Sequence, residues 1–107
     1  MTEIRNLFFP VTPSSEAEVF DEIFARPGVK IERIVSLGQA TPEHEPMVQD
    51  TDEWVTLLAG AAGLRIEGEE ETELRPGDYL FIPRGAKHWV TWTDKDTPSL
   101  WLAVHLD

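Results

Sequence analysis

Apolar residues along this chain recur with two different periods. Near the start, Leu7-Phe8-Phe9 is a short apolar run stopped by Pro10 and Pro13, which predicts an edge strand or an extended arm. Ser15 followed by Glu18 has capping-box spacing, and Val19, Phe20, Ile23 and Phe24 fall at i, i+1, i+4 and i+5. This predicts one short helix over residues 16–26, ended by Pro27-Gly28, with a twisted strand as the other reading of the same residues. From Val29 the period drops to 2. Val29, Ile31, Arg33, Val35 and Leu37 share one face, until turn residues appear at Gly38 and Pro42.

Further strand-like runs follow at short intervals: Trp54 to Ala59, Leu64 to Glu67, Glu71 to Leu74, Tyr79 to Ile82, His88 to Thr93 and Ser99 to Leu106. Gly60, Gly63, Gly68, Pro76-Gly77-Asp78, Pro83, Gly85 and the stretch Asp94 to Pro98 punctuate them. Short strands with turn signals at this spacing predict an all-β sandwich or small barrel, and connections this brief favour antiparallel pairing. The expected organisation is one domain over 1–107, with an arm or helix over 1–28 and a barrel over 29–107.

Composition narrows the chemistry. The 107 residues include no cysteine, so disulfides, thiolate metal sites and cysteine nucleophiles are all excluded. A metal here would be held by His, Asp, Glu, Gln or Asn. Twenty acidic against nine basic residues give a net charge of −11, which argues against nucleic acid or an anionic membrane as partner. The Glu-rich stretch from Glu67 to Glu73 reads as a solvated hairpin tip. No apolar run approaches the ~20 residues of a membrane span, and MTEIRNLFFPVTP lacks the features of a signal peptide, so a cytoplasmic domain is expected. Four tryptophans, and apolar residues on both faces of Ser99 to Leu106, predict a partner subunit, with a homodimer the expected assembly.

The segment GDYLFIPRGAKH carries the most specific pattern. Gly77, Pro83, Gly85 and His88 match the second motif of the cupin superfamily, G-x5-P-x-G-x2-H-x3-N, with Trp92 at its final position. The first motif, G-x5-H-x-H-x3,4-E-x6-G, is partly present: Gly38 precedes His44, and Glu53 precedes Gly60, by the proper intervals. Over residues 38–92 the chain therefore resembles a small single-domain cupin. That resemblance implies an antiparallel double-stranded β-helix, a jelly-roll barrel, holding a small molecule as ligand.

Alternation puts Glu53, Val55 and Leu57 on one face of their strand, and His88, Val90 and Trp92 on one face of theirs. The resemblance implies that both faces point into the barrel, bringing Glu53 and His88 to one mouth of an apolar interior. A carboxylate and an imidazole converging there are metal ligands or an acid–base pair. The two histidines of the family's first motif are missing; Met47 and Gln49 stand near their places, and His44 lies nine residues before Glu53. The expected metal set is Glu53 and His88 with Gln49 or His44, for Zn, Fe, Mn or Ni. Trp92, Val55, Leu57 and Met47 are the expected ligand pocket, with packing in the core as the other reading of Trp92. If the protein is an enzyme, the resemblance implies a metal-dependent oxygenase or isomerase. A metal-free binding or sensing module, and acid–base chemistry by Glu53 and His88 alone, are the other readings. His105, on the face of Trp101 and Ala103, reads as a structural histidine.

Overall fold

The turn at Pro27-Gly28 organises the first hairpin. In the computed structural model, which describes residues 2–107, Gly28 adopts a φ of +87°, a conformation a proline–glycine turn supplies without strain. Strand β1 (Val19–Arg26) thereby folds back on β2 (Val29–Ser36), with Arg26 opposite Val29. The segment expected as a helix is thus a strand. A register shift between Glu22 and Phe24 places Phe20 opposite Ile34 and Phe24 opposite Ile31. These two phenylalanines, four residues apart, lie on opposite faces, so a bulged strand carries what reads as a helical spacing.

Six more strands follow: β3 (Asp52–Ala59), β4 (Ala62–Ile66), β5 (Thr72–Leu74), β6 (Tyr79–Ile82), β7 (His88–Thr93) and β8 (Ser99–Leu106). They form a five-stranded sheet, β1-β2-β8-β3-β6, and a three-stranded sheet, β5-β4-β7, with every pairing antiparallel. Between the sheets lies the core. Val55, Leu57, Trp101, Ala103 and Ile82 come from the larger sheet, and Ala62, Leu64 and Leu74 from the smaller. This is an all-β, antiparallel double-stranded β-helix. Among the described residues no helix is long and apolar enough to cross a membrane.

Two irregular segments complete it. Residues 37–51 run beside β7: Thr41 N donates to Val90 O at 2.8 Å, Trp89 Nε1 donates to Glu43 O at 2.9 Å, and Met47 and His88 exchange backbone bonds of 2.8 and 3.0 Å. The N-terminal arm lies across the outside of the larger sheet, where Arg33 Nη1 donates to Leu7 O and Pro10 O, each at 3.0 Å. Arg33 also pairs with Asp21 at 2.7 Å. The face of β2 that carries Val29, Ile31, Arg33 and Val35 is accordingly the outer one, and Glu32, Ile34 and Ser36 point inward.

Gly60 shows how closely the turns pack. Its φ is +88°, and a side chain there would run into Ser99, whose Cα would lie 2.6 Å from the new Cβ. Gly68 has a similar φ of +84° with nothing near it. Both positions carry the left-handed penalty of about 1–2 kcal/mol for any other residue, and Gly60 adds a collision with backbone. Gly60→Ala is therefore expected to destabilise the fold by about 2 kcal/mol more than Gly68→Ala in urea denaturation. Equal losses would contradict the packing described.

Candidate functional site

The register of the larger sheet builds the site. Lys30 on β2, His105 on β8, Glu53 on β3 and Ile82 on β6 are successive cross-strand partners, and one inward row therefore carries an imidazole beside a carboxylate. In the adjacent row Glu32, Ala103 and Val55 are partners. The small Ala103 leaves space beside Glu32. From the opposite sheet His88 enters at the start of β7, its backbone fixed by the Met47 bridge. Four ionisable side chains, Glu32, Glu53, His88 and His105, thus converge on the interior, each at 9% exposure or less.

They form one closed pair and one open pair. His105 Nε2 and Glu32 Oε1 are hydrogen-bonded at 2.9 Å. His88 Nε2 stands 3.8 Å from Glu53 Oε1, beyond hydrogen-bonding reach, and that oxygen is buried with no hydrogen-bond partner. His88 Nδ1 lies 3.0 Å from Ala86 O; a carbonyl only accepts, so Nδ1 carries the proton and Nε2 is the atom presented to Glu53. Burial pushes the Glu53 carboxyl above the ordinary carboxylate range, opposed in part by His105 and then His88, while Glu32 adds to the rise.

These groups line a cavity of about 70 Å³ together with Met47, Gln49, Val55, Ile34, Val90, Trp101 and, from the N-terminal side, Glu18 and Phe20. A broader depression of about 520 Å³ adjoins it, sharing Glu32, Gln49 and His105 and bounded by Arg26, Lys30, Asp50 and Asp107. Of the residues singled out from the sequence, Glu53, His88, Gln49, Met47 and Val55 meet at the cavity. Leu57 is fully buried in the core and does not line it. His44 is exposed in the 42–45 turn, closed by Glu45 N donating to Pro42 O at 3.0 Å, so its interval from Gly38 does not bring it to the cavity. Trp92 is turned away as well. Val90 pairs with Leu64 and Trp92 with Gly63, leaving Thr91 as an extra residue that reverses the alternation. The Trp92 indole lies instead against Gly63, where an added Cβ would collide with it.

Glu32 is a site residue that sequence patterning passed over; the available signal was a charged residue alternating with Ile34 and Ser36 on β2. His105, in phase with Trp101 and Ala103 and read from the sequence as structural, is bonded to Glu32 and also lines the cavity. As a metal centre, the set is short. Two donors roughly 2.1 Å from one ion span at most about 4.2 Å, which Glu53 and His88 satisfy. Gln49 is a weak neutral donor, His105 is engaged by Glu32, and among the described residues no three of His, Asp and Glu are grouped to hold an ion. The four-ligand set of the family is not assembled.

Known proteins share this architecture. The cupin domain model matches residues 33–105. A Ralstonia eutropha protein of known structure, provisionally described as a mannose-6-phosphate isomerase, is 42% identical with a TM-score of 0.94 over 99% of both chains. A Thermus thermophilus structure is 28% identical with a TM-score of 0.79, covering 98% of this chain and 97% of that one. The acireductone dioxygenase of Bacillus cereus is 28% identical over 105 residues, 80% of this chain but 62% of the dioxygenase, so the chain spans less than two thirds of that relative. The family match to residues 33–105, joined to the double-stranded β-helix and its inward Glu53 and His88, identifies the chain as a member of the cupin family.

Proposed function

We propose that this cupin binds a small molecule in its barrel and that Glu53 and His88 are the polar pair that engages it. The observation that carries the reading is Glu53, which lines the cavity and whose buried Oε1 has no hydrogen-bond partner. Leaving such a group unsatisfied costs about 1–3 kcal/mol or more, and a ligand supplying a donor would recover it. The pair also suits proton transfer. A carboxyl raised by burial holds its proton closer to neutrality, and His88, with Nδ1 anchored on Ala86 O, has Nε2 free to take or return one. Such an acid–base pair supports an isomerase-type reaction. The isomerase and dioxygenase descriptions of the relatives named above are compatible with a reactive ligand at this end of the barrel.

A second reading has its own observation. Where His88 is neutral, its Nε2 lone pair and a Glu53 oxygen face one another across 3.8 Å, an arrangement that a shared cation would relieve. A divalent Zn, Fe, Mn or Ni ion held by Glu53 and His88 would supply Lewis acidity there, with most of its coordination sphere left to water or ligand.

Thermal denaturation against a metabolite collection, with and without each metal, tests both readings. A stabilising ligand is expected to lose at least tenfold in affinity in both Glu53→Gln and His88→Ala. Unchanged affinity in these variants would overturn the reading. Stoichiometric metal in purified protein, lost in both variants, would favour the cation.

Glu53 also makes stability depend on pH. Its ordinary value is 4.5 and its folded value is higher, so between the two the folded state binds more protons than the unfolded chain. Stability contributed by this group is then present below 4.5 and falls as pH rises through the folded value. In chelator-treated protein, the stability of wild type minus that of Glu53→Gln should decline across this window by about 1.4 kcal/mol for each pH unit by which the carboxyl is raised. A flat difference in urea denaturation between pH 4 and 8 would contradict it.

A further inference from the structure

The charges around the cavity point to a ligand class. Three carboxylates line it, Glu18, Glu32 and Glu53, while no lysine or arginine does. Two of the three are already served: Ser36 Oγ donates to Glu18, and Glu32 is bonded to His105 and lies 3.5 Å from Lys30 Nζ. Glu53 is not: its side chain lines the cavity, is 8% exposed and keeps Oε1 without a hydrogen-bond partner. An anionic head group would be set among three acidic side chains with no lysine or arginine at the cavity wall. A cation beside Glu53 instead favours the ionised carboxylate over the protonated form that burial favours, and pairs with it.

We infer that the inner end of the ligand is a protonated amine seated on Glu53, the remainder of the ligand extending into the 520 Å³ depression beyond Gln49 and His105. This inference rests on the reading that the barrel binds a small molecule and adds its chemical class. An ammonium group has only donors and can give one to Glu53 Oε1 directly. Phe20 and Trp101 stand in the same cavity wall, and aromatic rings attract cations. The small inner volume limits the buried part to a few non-hydrogen atoms, so selectivity for the rest of the molecule falls to the wider compartment.

Size-matched probes separate charge from fit. Propylammonium, acetate and propanol, each of about the same size, would be titrated at constant ionic strength into chelated protein labelled with 15N at its histidines, reading the His88 imidazole signals. Propylammonium is expected to shift them with at least tenfold higher affinity than acetate, and Glu53→Gln to weaken propylammonium tenfold and propanol by less. Acetate binding as well as propylammonium, or a propylammonium affinity unaffected by Glu53→Gln, overturns the amine. A response to propanol without one to propylammonium overturns the amine and leaves barrel binding standing. No response to any probe counts against both.

Discussion

The site depends on the position of β8. This strand has a neighbour along both edges, pairing from Val29 to Ser36 on one side and from Asp52 to Ala59 on the other. Side chains alternate with a period of two, so the pairing that buries Trp101 and Ala103 also buries His105 and sets it beside Glu53. A slip of one residue would exchange His105 for Val104 or Leu106 and move the indole of Trp101 to the outside. Apolar packing therefore fixes the register, and the register delivers the polar groups. Trp101 gains a further anchor, since its Nε1 donates to Ser36 Oγ at 3.1 Å.

Carboxylates in an apolar barrel are costly, and the fold treats its two acid–histidine pairs differently. Glu32 and His105 satisfy one another, joining β2 to β8 within the five-stranded sheet. Glu53 and His88 come from opposite sheets, and the distance between them is set by how the sheets pack. Each backbone is held rigidly: Glu53 lies between Ile82 and His105, and His88 is tied to Met47. The separation of the two strands therefore sets the 3.8 Å gap, and the cost of burial is concentrated on one oxygen. Holding reactive groups apart on stiff supports is what a binding site requires.

The strands from residue 29 onward were legible from their period of two and the turn residues between them, although on β2 the face of Val29 to Val35 turned out to be the outer one, and motif spacing was enough to single out Glu53 and His88. The misreadings have local causes. Val19, Phe20, Ile23 and Phe24 mimic a helix because a bulge reverses their alternation midway, and the Thr91 bulge moves Trp92 to the other face by the same route. An extra residue in one strand leaves no mark in a one-dimensional pattern; only the partner strand reveals it. The pairing of Glu32 with His105 was hidden for a different reason. They are 73 residues apart, and their meeting is a property of how β2 and β8 pair, which no local spacing encodes. His44 misled in the opposite sense, because a correct interval from Gly38 ends in an exposed turn.

Strand β1 has one further consequence. It stands at the edge of its sheet, bonded to β2 alone, yet Phe20 on it and Glu18 just before it contribute to the cavity wall. The remaining wall belongs to β2, β3, β4 and β8, which are paired on both sides, to Ile82 on the opposite edge strand β6, and to β7 with the segment fastened along it. An edge strand frays at lower free energy than the interior of a sheet. Peeling of β1 would open the cavity at a second side, apart from the adjoining depression, with β3, β7 and β8 left in place. The strength of the β1–β2 hairpin and of its Pro27-Gly28 turn would then tune how fast the cavity exchanges its contents.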